Sequence, residues 1–193
     1  MPEDPYVYPS TSVLRNRFGE HDGAELARRE AAATTVRLAE LAERPIPGPY
    51  DLPHLQAFHR QIFGDVYEWA GQLRTVAIEK GDLFALPEHI EPYLSDVLRQ
   101  LPSEDHLRGL GHDAFVDRLT HYLAEINSVH PFREGNVRAQ RAFLEQLAND
   151  AGYHIDWTRL DAGRNIDASQ AAHRGRKQRM REMLAELVVS GDQ

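Results

Sequence analysis

The run AELARREAAATTVRLAELAE, residues 24–43, consists almost wholly of good helix formers, and Pro45, Pro47 and Gly48 end it. A second stretch opens at Asp51, a favourable N-cap, and carries Leu52, Leu55, Phe58, Ile62 and Phe63 at helical spacing as far as about Gly64. Between residues 73 and 86 the period changes. LRTVAI and LFAL are short β-prone runs separated by Glu79, Lys80, Gly81 and Asp82, which predicts a β-hairpin closed by Pro87. Ile90, Leu94, Val97 and Leu101 then mark a short helix, with Pro92 in its first turn and Pro102 as its stop. From Asp113 as N-cap, Phe115, Val116, Leu119, Tyr122, Leu123 and Ile126 follow the 3.6-residue period of a buried central helix. That helix must end near Val129, because Pro131 pushes His130 out of the α region. Helical spacing resumes after Asn136 with Ala139, Phe143, Leu147 and Ala151, and Gly152 stops it. Residues 176–189 predict a last amphipathic helix with Met180, Met183, Leu184, Leu187 and Val188 inward. The expectation is an all-α, mainly helical bundle with one small hairpin, and no internal repeat or low-complexity tract.

Composition narrows the class. At 193 residues, one domain with a substantial core suffices, and 41% hydrophobic with 27% charged residues is ordinary for a soluble chain. No apolar run approaches the roughly 20 residues of a membrane span, and the opening MPEDPYVYPS lacks the basic and apolar regions of a secretory signal. The absence of cysteine excludes disulfides, thiol nucleophiles and thiolate zinc sites, and fits a cytoplasmic location. A formal charge of −8 argues against general nucleic-acid affinity. The basic run RGRKQRMR, 174–181, reads as the solvated face of the terminal helix. No HExxH occurs among the histidines, and His54 and His59 are poorly spaced as a helical zinc pair.

The candidate chemistry lies in the loop HPFREGN, residues 130–136, between two expected helices. With Asn136 as N-cap, the free N–H groups of the new helix and that of Gly135 form a concave donor site suited to an anion. Arg138 and Arg141 place cations in the first turns, the wrong sign for a helix N-terminus unless something negative binds there. Their planar forks suit phosphate oxygens. Glu134 among them would hold Mg²⁺, which takes one or two carboxylates plus substrate phosphate oxygens. His130 is the nearby side chain whose ordinary pKa lets it take a hydroxyl proton near neutral pH.

HPFREGNVRAQR, 130–141, closely resembles the signature of the Fic family: HPF, any residue, Asp or Glu, Gly, Asn, Gly, Arg, two residues, Arg. The hairpin resembles the Fic flap, GDVYEWAGQLRTVAIEKGD the segment leading into it, and DPYVYPSTSVLRNRFG the start of bacterial Fic toxins. The resemblance implies a single Fic domain with a core at about 51–155, a helical N-terminal extension (1–48) and a C-terminal helical segment (156–193). It implies transfer of AMP from ATP to a protein hydroxyl, with His130 as base and Glu134 holding Mg²⁺. Asn136 and the Gly135 backbone would grip the phosphates and Arg141 reach the outermost one, within a nucleotide-binding set of Arg133, Gly135, Asn136, Val137, Arg138 and Arg141. Phe132 would be a core anchor. The flap would register the target by strand addition, with Lys80 and Phe84 as contacts.

Val137 stands where the family has glycine, and its branched side chain narrows the approach of phosphate to backbone. Doc-type phosphotransferases have lysine there, which leaves two alternatives to adenylyl transfer: a Doc-like phosphotransferase and a catalytically impaired Fic-fold binding protein. The inhibitory pattern of many Fic proteins, Ser or Thr, three residues, Glu, then Gly or Asn, is absent. Thr75 and Glu79 have the spacing, but Lys80 follows. The resemblance therefore implies a separate small antitoxin supplying an inhibitory glutamate in trans. It also suggests the ATPase subunits of DNA gyrase and topoisomerase IV as targets.

Overall fold

The computed structural model describes residues 4–191 apart from Gly81, and not the side chains of Lys80, Asp82 and Leu83. Helix α1 spans Gly23–Glu43 and is capped by Asp22, whose side chain accepts from Glu25 N. Helix α2, Leu52–Phe63, starts as expected from Asp51, which accepts from His54 N. The apolar stripe of α2 is fully buried: Leu55, Ile62 and Phe63 are at 0% exposure. Each such side chain contributes roughly 1.5–3 kcal/mol of burial, and this is what holds a 12-residue helix that is marginal alone.

The hairpin is smaller than LRTVAI and LFAL predict. Strands β1 (Glu79–Lys80) and β2 (Asp82–Leu83) pair antiparallel, Glu79 opposite Leu83, and one further bond from Phe84 N to Ile78 O extends the ladder. Residues 73–78 form no strand: Arg74 N donates to Pro131 O, and its guanidinium takes the carbonyls of Val76, Ala85, Val129 and His130. Helix α3, Pro87–Leu98, begins earlier than expected, so Pro92 falls inside it and not in its first turn. Pro92 lies on the exposed face, where water can satisfy the carbonyl left without a donor. Pro102 does not stop a helix either, since it sits within the short turn α4, Gln100–Ser103.

Helix α5, His112–Val129, is the central element and packs against α3, α6, α7 and α8. Gly111, and not the expected Asp113 in the helix's first turn, is its N-cap. Helix α6 runs Asn136–Asp150, and strand β3, Tyr153–Ile155, follows Gly152. Helix α7, Ala162–His173, is capped by Asp161, and the apolar spacing of its residues does not predict it. The terminal helix α8 is shorter than expected, Gln178–Leu187; Val188–Ser190 is strand β4, paired antiparallel with β3. Val188 and Val189 are β-branched and prefer the pleated geometry. The inward set Met180, Met183, Leu184, Leu187 and Val188 is buried as expected. The architecture is mainly helical, and α5 and α6 present the 130–136 loop between their ends.

Candidate active site

His130 is the C-cap of α5, in a left-handed conformation at φ 52° and ψ 65°, with its N–H on Ile126 O at 3.0 Å. A non-glycine residue held there costs of order 1 kcal/mol or more, so the surroundings must fix it. They do. The His130 ring is buried and stacks on Phe84 of the flap, centroids 4.2 Å apart and planes at 18°. Phe84 in turn meets His173, at the end of α7, edge-on at 5.5 Å. The side chain of Lys80, the other expected flap contact, lies outside the described residues.

The loop is pinned from beneath. Phe132 is 1% exposed and stacks on His59, centroids 4.0 Å apart, while Phe63 stacks on the other side of that imidazole at 4.7 Å. His59 Nδ1 accepts from Gly71 N at 2.8 Å, so the ring proton resides on Nε2, which donates to Glu134 O at 2.9 Å. Burial drives the pKa of His59 down to about 4, helped by the charge of Arg138 and opposed by the Glu134 carbonyl bond. His54 is equally structural: Nε2 meets Ile46 O at 2.8 Å and Nδ1 accepts from Tyr50 N. Neither histidine is a zinc ligand in this arrangement.

Asn136 is not the N-cap; Gly135 is, at φ +81°. The Asn136 side chain is buried and closes on Phe132, Oδ1 accepting from Phe132 N at 2.8 Å and Nδ2 donating to Phe132 O at 2.7 Å. It fixes the loop's curvature. Glycine is required at 135 twice over: its φ is left-handed, and a Cβ would stand 2.3 Å from the Phe63 ring. Glu134 Oε1 already occupies the Gly135 N–H at 2.9 Å.

The arginines divide. Arg138 does not reach over the loop; its guanidinium pairs with Glu30 of α1, donates to Thr34 Oγ1 at 3.1 Å and lies over the Phe63 ring. Tyr67 closes the same group by donating to Glu30. Arg133 pairs with Asp4 at 2.9 Å. Among the described residues Arg141 pairs with no carboxylate. It lies over Trp157 in a cavity of about 400 Å³ shared with Glu145, Gln146 and His154. Burial lowers the Arg141 pKa and raises that of Glu145. Val137 is 37% exposed at the start of α6.

Three positioning residues escape motif reading. Arg74 sits among apolar residues, and a cation inside LRTVAI was its signal. His59 falls on the buried stripe of α2 with Leu55, Phe58 and Ile62. Glu30 carries no local signal in an ordinary charged helix.

Residues 49–148 match the Fic/DOC family. The protein adenylyltransferase VbhT of Bartonella schoenbuchensis is 43% identical over 192 residues, an alignment covering 97% of this chain and 40% of VbhT, so the chain spans less than half the length of that relative. The probable protein adenylyltransferase Fic of Salmonella typhimurium is 40% identical over 186 residues, covering 96% of this chain and 92% of the relative. Among solved structures, the BepC protein of Bartonella tribocorum with bound AMPPNP superposes with a TM-score of 0.89 at 26% identity, covering 97% of each chain. An N-terminal Fic domain from Bartonella quintana with bound ADP gives the same score and identity, covering 97% of this chain and 95% of the other. These likenesses establish that this chain belongs to the Fic/DOC family, and the matched span includes the pinned HPFREGN loop between α5 and α6.

Proposed function

We propose that the chain is a protein adenylyltransferase, moving AMP from ATP to a hydroxyl side chain of a target protein. The observation that carries this reading is the 130–136 loop. His130 stands at its mouth under the flap, and Arg141, desolvated and paired with no carboxylate among the described residues, lies about one and a half turns into α6. The target hydroxyl oxygen attacks the α-phosphorus and forms the new O–P bond. The bond from that phosphorus to the β-phosphate oxygen breaks, pyrophosphate leaves, and the hydroxyl proton goes to His130. Arg141 meets the outermost phosphate. Arg138 and Arg133 reach the nucleotide only by giving up Glu30 and Asp4, so their work in this fold is to anchor the loop. The Gly135 amide serves phosphate once Glu134 releases it.

Mg²⁺ fits as an ion brought with the nucleotide. Among the described residues no cluster of three His, Cys, Asp or Glu could hold a metal alone, whereas Mg²⁺ binds through one or two carboxylates plus phosphate oxygens, and Glu134 supplies one. When bound, it neutralises phosphate charge. The flap, whose Phe84 stacks on His130, would register the target chain beside the base. Arg141, which pairs with no carboxylate among the described residues, also suits a small antitoxin that offers a glutamate in trans, and the protein would act in the cytoplasm, where gyrase B and the topoisomerase IV ATPase subunit are its candidate targets. No helix of the described residues is long and apolar enough to cross a membrane.

The test is the intact mass of purified gyrase B subunit after incubation with the protein, ATP and Mg²⁺, with His130→Ala as control. A gain of one AMP that vanishes in the control supports the proposal, and a gain of one phosphate instead establishes Doc-like transfer. Activity seen only in Val137→Gly marks the natural loop as impaired, the reading that the branched side chain at the head of α6 favours. Silence in both proteins points to another target or to the Fic-fold binding protein. Excess antitoxin should abolish transfer, and indifference to it removes that partner.

A further inference from the structure

Arg74 is among the largest fully buried side chains, 2% exposed. Among the described residues no carboxylate accompanies it; its guanidinium donates to backbone carbonyls alone. Nε reaches His130 O at 2.8 Å, Nη1 reaches Val76 O at 2.7 Å, and Nη2 reaches Ala85 O at 2.5 Å and Val129 O at 3.0 Å. Its amide donates to Pro131 O at 2.9 Å. These acceptors form two groups. Val129, His130 and Pro131 end α5 and open the loop, while Val76 and Ala85 stand on the two legs of the flap, before β1 and after β2.

A buried cation without a counter-ion is expensive. Here the cost is offset by carbonyls at the C-terminal end of α5, which lack intrahelical donors and carry the negative end of the helix dipole. Burial nevertheless pulls the guanidinium pKa below its ordinary value, with Tyr6 opposing. A side chain that only filled volume would not need charge or a planar fork. Only arginine offers several donors in fixed directions from one plane, enough to tie three backbone segments together.

We propose that Arg74 is a positioning residue for the transfer reaction: it holds His130 in its left-handed conformation and joins that backbone to both legs of the flap. The element that registers the target and the base that takes the target's proton then keep a fixed relation. Ala85, which Arg74 grips, follows Phe84 directly, so the same bond sets the Phe84 ring over His130. The inference rests on the adenylyltransferase reading for its catalytic consequence, but the mechanical joint is testable without it.

The experiment uses the full chain as wild type, Arg74→Met and Arg74→Lys. Transfer to gyrase B subunit gives kcat and KM for ATP, and hydrogen exchange by mass spectrometry gives local opening. For Arg74→Met, kcat should fall about 100-fold, the loss expected when reacting groups shift by about 1 Å. KM for ATP should change less than about threefold, since Arg141 and Gly135 are untouched. Arg74→Lys, which keeps charge but not the fork, should fall between. Exchange should rise together in residues 76–86 and 129–134 and stay unchanged in α1 and α8. A folded Arg74→Met with kcat within about twofold of wild type overturns the proposal, as does exchange rising evenly along the chain. If Arg74→Met does not fold, Arg74→Lys decides: wild-type kcat and exchange overturn the proposal, whereas a kcat loss with paired local opening supports it. If the wild type transfers nothing to this target, the functional reading fails there, and the paired or uniform exchange pattern still decides the joint.

Discussion

His59 makes the stability of this protein fall with acid in a way that can be isolated. It is 0% exposed, sandwiched between Phe63 and Phe132, and its Nδ1 must stay an acceptor for the Gly71 N–H. Protonating that nitrogen would set two donors against each other in a dry site. Its folded pKa is therefore about 4 against 6.5 for the free side chain. Above pH 6.5 both folded and unfolded chains hold it neutral and no penalty arises. As pH falls from 6.5 to 4, the unfolded chain takes up a proton that the folded chain refuses, so stability is lost through that window. At about 1.4 kcal/mol per unit, the full shift is worth about 3 kcal/mol, of which about 2 kcal/mol is lost between pH 7 and pH 5. Urea unfolding at pH 7, 6 and 5 on wild type and on His59→Gln, which cannot titrate, measures the difference. Every other group is common to both proteins, so its contribution cancels. Wild type should lose about 2 kcal/mol more than the variant. Curves that stay parallel to within about 0.5 kcal/mol would refute the neutral, proton-refusing His59 and the loop pin built on it.

Two further substitutions probe the same loop. Gly135→Ala places a Cβ against Phe63 in a left-handed conformation; strain of about 1–2 kcal/mol and overpacking of about 1–3 kcal/mol should lower urea stability by about 2–5 kcal/mol, and an unchanged midpoint would show that the ring yields freely. Glu30→Ala removes the partner that Arg138 and Tyr67 share. Because Arg138 is about one-third exposed, the loss should be nearer 2 kcal/mol than the full cost of a buried pair, seen as a melting midpoint lower by roughly 4–8 °C, and no shift would mean that α1 does not hold the loop.

The amino-acid pattern alone settled the helices that carry the site. Asp51 with its stripe gave α2, the apolar period from Phe115 to Ile126 gave α5, and Pro131 placed the α5–α6 loop at HPFREGN. These features are decided within one or two turns of chain, by cap chemistry, periodicity and the restriction a proline imposes on its predecessor. Helix α7 was missed because it presents only Ala168, Ala171 and Ala172 to the core, too weak an apolar stripe to register. The end of α8 was misread because Val188–Ser190 takes its conformation from β3, more than 30 positions away in the chain. Partner choice in the loop belonged to the tertiary structure alone. That Arg138 pairs with Glu30, 108 positions away, and Arg133 with Asp4, 129 positions away, leaves no trace in the local sequence. Asn136 reads as a cap until its side chain is seen turned inward on Phe132, and Arg74 as a strand residue until three backbone segments converge on it. A charged side chain takes whichever opposite charge or open carbonyl the folded chain brings within about 3 Å, and separation along the sequence carries no record of that distance.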